Sequence, residues 1–317
     1  MPPLRCLIRP SPLCHLGKKA FISRCATKAN LTLGLRGHRT LAIITGTPKI
    51  PHLYANGPVA SQNIQHVQQI DQHLKDSGIL KISLEFEDDE CDYLQQLILQ
   101  LHKNHAHGLP ITHSSLRGWL WDVKPTPAAI AKANTTQARS ETMSNFPWHT
   151  DCSYEVLPPR YFALQVLRED QCGGGTLSVL DSARLMSFLS PRTRLTLTQP
   201  EFRITVPPEF TKDENQTHIT GSVVWVDEKT GKVHLRLRSD IIEPLTTNAD
   251  SALEELQQVL VSSEIKAQVV DLTPEILPRG SIVMMDNRRW LHARNVVRDP
   301  SRHLRRVRWD ARPFGEM

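Results

Sequence analysis

Aspartate and glutamate are absent from the first 70 of this chain's 317 residues, a stretch that holds nine Lys or Arg. Ser11, Ser23, Thr27 and Thr32 are scattered through it, with Leu and Ile between them. An acid-free, arginine- and hydroxyl-rich start has the composition of a mitochondrial transit peptide. Residues 1–70 are therefore read as a transit peptide or a disordered extension, with Pro48, Pro51 and Pro58 marking 41–70 as a linker. The expected location is mitochondrial, otherwise cytoplasmic. The same absence explains the chain's basic character. Its net charge is +5, but taking nine from the 38 basic residues leaves 29 against 33 acids, a net of −4. A domain over 71–317 that is slightly acidic argues against nucleic acid as a partner.

Other absences exclude further classes. Cysteines stand at 6, 14, 25, 91, 152 and 172, with no Cys-x-x-Cys spacing, so a zinc ribbon is not expected. Cys152 reads as a pocket residue or a small buried hydrophobe. No apolar run has the length of a membrane span. A Gly-x-Ser-x-Gly elbow, a phosphate loop and a dinucleotide fingerprint are all missing. There are no internal repeats and no second domain. What remains, 39% hydrophobic and 22% charged, suits one substantial core.

Against this background stands His149-Thr150-Asp151, followed 141 residues after Asp151 by His292, and then by Arg302-His303-Leu304-Arg305-Arg306. Two His and one carboxylate can hold one face of an Fe(II) ion and leave open positions for a cosubstrate and dioxygen. A His-x-Asp pair alone is equally a hydrogen-bonded histidine beside a core, so the context decides. Arg160 to Leu167 reads as a strand, Cys172 to Gly175 as a turn, and Thr176 to Leu180 as the next strand. Ser281–Met285 and Trp290–Val297 form strand–turn–strand about Asp286-Asn287, and Arg305–Ala311 is a final strand. The candidate ligands thus sit at the ends of short strands, where an antiparallel double-stranded barrel can converge them.

The ordered part is expected to begin near Ser77, with a strand at Ile79–Ile82. A helix follows from about Asp88 to His105, with acids in its first turn and Leu94, Leu97, Ile98 and Leu101 as its buried stripe. Further helices are expected near 182–198, where Ser190-Pro191 marks a start, and near 250–263. Gly221 to Arg238 reads as a hairpin turning at Asp227–Gly231.

These pieces resemble the taurine dioxygenase and 2,4-dichlorophenoxyacetate dioxygenase (TauD/TfdA-like) family of Fe(II)/2-oxoglutarate-dependent oxygenases. The matching segments are His149-Thr150-Asp151, Gly173-Gly174-Gly175-Thr176, Asn287-Arg288-Arg289-Trp290-Leu291-His292 and Arg302 to Arg306, over about residues 79–314. The resemblance implies a mainly β fold with flanking helices on a double-stranded β-helix (jelly-roll) core. It implies His149, Asp151 and His292 as iron ligands, with Thr176 and Arg302 binding 2-oxoglutarate. Arg306 carries over as a second arginine, which meets cosubstrate in some members and substrate in others. The family often has Gly-Gly-Asp-Thr where this chain has Gly-Gly-Gly-Thr. A Cys-rich zinc module, which the carnitine-pathway relatives add, is lacking here.

The residues support that chemistry independently. The far carboxylate of a chelating 2-oxoglutarate would be buried, and a buried carboxylate needs a partner such as a planar guanidinium. On a strand, Arg302, Leu304, Arg306 and Arg308 share one face and Val307 and Trp309 the other, so packing of the apolar pair under the helices turns the arginines inward. No acid–base or nucleophilic side chain is needed, because the metal and cosubstrate carry the oxidation.

The resemblance implies that the segment His113 to Trp121 lies over the active site, while Trp148, Tyr154 and Trp290 read as core before pocket. Ten arginines and no lysine lie between 279 and 312. Several of these are surface charges, but one beyond those holding 2-oxoglutarate could meet an anionic substrate. The expected activity is oxidation of a C–H bond in a small organic molecule, with release of succinate and CO2. Desaturation or ring formation on the same fold, and a catalytically silent barrel that senses a metal or ligand, are the alternatives.

Overall fold

The computed structural model describes residues 48–112, 118–126, 138–213 and 215–315. The strands begin with β1 (His52–Ala55), β2 (Ile79–Leu84), β3 (Trp121–Val123), β4 (Phe146–His149) and β5 (Pro159–Arg168). Next come β6 (Leu177–Asp181), β7 (Phe202–Thr205), β8 (His218–Gly221), β9 (Val224–Val226) and β10 (Val233–Leu235). The last are β11 (Ile242–Pro244), β12 (Val270–Leu272), β13 (Ser281–Asp286), β14 (Trp290–Arg294) and β15 (His303–Ala311). The larger sheet runs β1-β2-β13-β5-β15-β3 and the smaller β12-β6-β14-β4, with β11-β7-β8 and the β9–β10 hairpin beside them.

The central strand β5 explains why the two larger sheets face each other. Its Phe162, Leu164 and Val166 point into an interior shared with Leu177, Val179 and Trp290 of the smaller sheet. The alternate residues Tyr161 and Ala163 point outward, with Val307 and Trp309 of β15, onto two helices. Those helices are α1 (Ile64–Asp76) and α2 (Asp92–His105). The mainly β architecture with outer helices and a double-stranded β-helix core is the one expected.

Four further helices, α3 (Ser182–Ser187), α4 (Pro191–Leu197), α5 (Thr247–Val261) and α6 (Ser263–Lys266), interrupt the strands. Ser190 caps α4, its Oγ accepting from Thr193 N at 3.2 Å, with Pro191 in the first turn.

Several boundaries differ from expectation. Among the described residues the first strand begins at His52, not near Ser77, so the boundary at residue 70 is too late. β1 pairs in parallel with β2, and Ala55, Val67, Ile70 and Leu74 are buried against the larger sheet. The prolines misled: Pro51 precedes an edge strand and Pro58 opens a short 3-10 turn, both positions that need no backbone donor. α2 begins at Asp92 because Asp88 stays outside as its cap, accepting from the amides of Asp92 (2.8 Å) and Tyr93 (3.2 Å). β13 and β14 do not pair with each other; the chain crosses between the sheets at Asn287–Arg289. Residues 1–47 and 113–117, where the transit peptide and most of the expected cover lie, are outside the described residues.

Candidate metal centre

Two neighbouring strands of the smaller sheet supply the histidines. His149 ends β4 and His292 lies directly opposite it on β14. Cross-strand partners hold their side chains close enough to share a ligand. The chain then leaves the sheet, and two staples fix where Asp151 lands. Asn287 accepts from Asp151 N at 2.7 Å and donates to Asp151 O at 2.9 Å. Thr150 N donates to Leu237 O at 2.8 Å, and Thr150 Oγ1 accepts from Leu237 N at 3.1 Å. Cys152 follows in the left-handed region at φ 54° and reverses the chain.

Asp151 Oδ1 lies 3.9 Å from His149 Nε2 and 3.8 Å from His292 Nε2. One donor atom from each of the three lies within 4.8 Å of the others, and all three residues are buried. No other such group of His, Cys, Asp or Glu occurs among the described residues. His149 Nδ1 donates to the Pro147 carbonyl at 2.8 Å, which leaves Nε2 as the free lone pair facing the centre. Ring contacts orient both imidazoles: His149 stacks on Phe146 at 3.6 Å, and His292 lies tilted against Phe162 at 4.6 Å.

The protonation states suit a cation. Burial, then the neighbouring His292, pushes His149 well below the ordinary histidine range, so the ring is neutral. Burial alone would raise Asp151, but Arg306, His292 and Arg308 outweigh it and hold the carboxyl well below its usual range. Arg306 Nη1 is 3.1 Å from Asp151 Oδ1, while Asp151 Oδ2 is buried with no hydrogen-bond partner among the described residues. A buried, unanswered carboxylate oxygen is costly unless a cation meets it. Two imidazole nitrogens and this oxygen therefore fit Fe(II).

A profile of the taurine catabolism dioxygenase TauD, TfdA family matches residues 59–308. The chain belongs to this family. No curated protein sequence matches it. Among solved structures, an asparagine oxygenase bound to Fe(II), 2S,3S-3-hydroxyasparagine and succinate is similar at 21% identity and TM-score 0.61, over 78% of this chain and 80% of that one. The non-heme iron oxygenase OrfP with Fe and alpha-ketoglutaric acid is similar at 17% identity and TM-score 0.57, over 80% and 84%. OrfP with Fe, succinate and (3S)-hydroxy-L-Arg gives 16% and 0.56, over 79% and 84%. The protein is an Fe(II)/2-oxoglutarate-dependent dioxygenase of the TauD/TfdA family, and its cofactors are iron and 2-oxoglutarate.

In this dioxygenase one cavity adjoins the triad on the side of Arg302. His149, Phe162, Leu164, Leu177, His292 and Leu304 are among its walls. Arg302 is buried, its Nη1 has no partner among the described residues, and burial and Arg294 lower its pKa to about 10. A buried guanidinium with an unanswered donor fits a carboxylate ligand. Leu177 lines this cavity, but Thr176 does not. Thr176 is half-buried, donates its amide to Asn295 Oδ1 at 2.8 Å, and accepts from Asn295 N at 3.2 Å.

Arg306 lines the cavities on both sides of the triad, and in this structure it is engaged by Asp151. Arg308 lines only the opposite side, with Cys152, Tyr154 and Phe210, where it donates to Cys152 Sγ. From there a second cavity of about 830 Å³ continues past Glu155, Glu209 and Lys212. Cys152 and Tyr154 are thus pocket residues. Trp148 packs against the core, and Trp290 is core, its Nε1 bonded to Ser77 O at 2.9 Å.

Sequence reasoning missed two residues that build the site. Asn287 was seen only as part of a motif, although it is the staple on Asp151. Arg294 shares strand parity with His292, which could have flagged it. Its guanidinium gathers the carbonyls of Arg139, Ser140, Thr142 and Ser144, so it anchors the segment leading into β4.

Proposed function

We propose that this dioxygenase hydroxylates a C–H bond of a small carboxylate-bearing molecule of the amino-acid type. The observation that carries this is Arg308, a buried cation at the junction between the metal-side cavity and the 830 Å³ cavity. Arg302 faces the other side of the triad, whereas Arg308 lines both cavities on the side where a substrate would enter, and a guanidinium there suits a substrate anion. It donates to Cys152 Sγ, a thiol whose pKa burial raises. Glu155 and Glu209 on the wall of the larger cavity suit a substrate ammonium group. The similar asparagine oxygenase and OrfP structures hold hydroxylated amino acids, which supports the same class.

When bound, iron, 2-oxoglutarate and dioxygen would supply the oxidation: one oxygen atom of O2 would enter the hydroxylated product and the other the succinate formed as 2-oxoglutarate loses CO2. The protein's share is to hold the ligands, bind both anions and exclude water. An intact triad together with Arg302 favours an enzyme over a silent sensor.

The test is succinate release on free amino acids beside their decarboxylated amines. Amino acids should be turned over and amines not, and Arg308→Gln should raise the amino-acid KM with little change in 2-oxoglutarate affinity. Equal turnover of an amine lacking the carboxylate would overturn the reading. We further propose a mitochondrial destination. Residues 1–47 carry basic residues and no acid, and each basic residue near an anionic membrane is worth about 1 kcal/mol. A reporter fused to them that stays cytosolic would reject this.

A further inference from the structure

Outside the metal centre, one buried carboxylate makes four hydrogen bonds that neither iron nor substrate requires. Asp170 is 3% exposed. Its Oδ1 accepts from Cys172 N at 2.9 Å and Gly174 N at 3.1 Å, both on its own loop. Its Oδ2 accepts from Arg298 N at 2.7 Å and Asp299 N at 3.1 Å, on the loop after β14. The first loop leads into Gly175 and Thr176, and the second into Arg302. Further bonds tie the same two loops: Gly175 N to Val296 O at 3.0 Å, and Gln171 N to Asp299 Oδ2 at 3.3 Å. Asp299 O then accepts from Arg302 N at 3.1 Å.

The glycines show how closely the loops meet. A Cβ on Gly174 would stand 2.5 Å from Val296 O and 2.7 Å from Arg298 N. A Cβ on Gly175 would stand 2.7 Å from Arg302 Nε and 3.0 Å from its Cδ. Gly175 also has φ +69°, which L side chains rarely adopt. The stem of Arg302 therefore lies on bare backbone.

We propose that Asp170 and Gly175 form a clamp that positions Arg302 for the distal carboxylate of 2-oxoglutarate. Asp170 acts as a positioning residue: it draws the two loops together, and Gly175 leaves the space in which the guanidinium is held. Binding then orders no flexible arginine, which is how pre-organisation raises affinity. The proposal rests on the reading that Arg302 meets that carboxylate, and the experiment separates the two.

An Asn at 170 can accept at one oxygen only, and its NH2 would face amide donors, so Asp170→Asn opens one arm of the clamp. The probes are 2-oxoglutarate and 2-oxobutyrate, an α-keto acid without the distal carboxylate, titrated calorimetrically into the anaerobic Mn(II)-loaded protein. Asp170→Asn should weaken 2-oxoglutarate binding at least tenfold. It should leave Mn(II) and 2-oxobutyrate binding within about twofold, and raise the 2-oxoglutarate KM far more than it lowers kcat. Gly175→Ala removes none of the groups that bond Asp170 and crowds Arg302 directly, so it should give the same signature and carries the test if Asp170→Asn is too unstable to titrate. Equal loss of both keto acids, or no loss of 2-oxoglutarate, would overturn the clamp. Arg302→Ala is the control: if it binds 2-oxoglutarate normally, the reading of Arg302 fails, whereas a defect there with none in the clamp variants sinks the clamp alone.

Discussion

His292 touches the rest of the site through ring packing, and its Nδ1 makes no hydrogen bond among the described residues. Removing the ring takes a ligand without cutting a polar network. His292→Ala should therefore lose Fe(II) or Mn(II) affinity by more than about 100-fold, beyond the loss of an outer-shell partner, while still unfolding cooperatively. Calorimetric metal titration beside a thermal melt checks both, and metal binding at the parent level would reject the ligand. Arg302 is a different case, because its loss strands a buried anion rather than a metal. Losing such a partner costs about 3–5 kcal/mol, or roughly 100- to 1000-fold and more in 2-oxoglutarate affinity. Arg302→Ala should show this with metal affinity unchanged. An unaltered 2-oxoglutarate affinity would pass the role to Arg306, which lines the same cavity.

At the scale of elements, the β9–β10 hairpin carries a pH dependence. His234 on β10 is fully buried, neither ring nitrogen has a partner among the described residues, and the ring packs on Trp225 at 4.9 Å. Burial lowers its pKa from 6.5 to about 4. The unfolded chain takes up this proton near 6.5 and the folded one only near 4, so stability falls as pH drops through that window. The loss from this group is up to about 3 kcal/mol. Melting temperatures measured from pH 7 to 4 should drop less steeply in His234→Phe than in the parent. An identical slope would mean the ring is not buried neutral.

The strands carrying His149 and His292, and the one that begins just after Arg302, were readable because apolar periodicity, Gly-rich turns and the motifs agree locally. Val307 and Trp309 even predicted correctly which way the arginines face. Asn287 and Asp170 were not readable as staples, since they act on backbone groups 136 and 128 residues away in sequence, in Asp151 and Arg298. A local pattern carries no information about such partners.

At the scale of the whole molecule, the lower edge of the domain was misread for a related reason. Composition separates residues 1–70 from the rest by charge, but folding follows apolar burial. Val67, Ile70 and Leu74 form a stripe at helical spacing, Asn63 caps α1 by accepting from His66 N at 3.1 Å, and Asp71 binds Lys75 at 2.6 Å and His107 at 3.1 Å. A chain starting at Gln72 would lose β1, its ladder with β2, and more than half of α1. Burial of Val67 and Ile70 alone is worth about 1.5–3 kcal/mol each. Asp71 would also leave His107 without its acidic partner inside the core. Against a net stability of about 5–15 kcal/mol, these losses are large enough to unfold the domain. A chain starting at Leu41 keeps the entire compact unit of residues 41–317. The Leu41 form should melt cooperatively and bind Mn(II), while the Gln72 form should be digested rapidly by protease and show no cooperative transition. If the Gln72 form melts like the longer one, β1 and the first turns of α1 are dispensable, and the folded domain begins where composition alone had placed it.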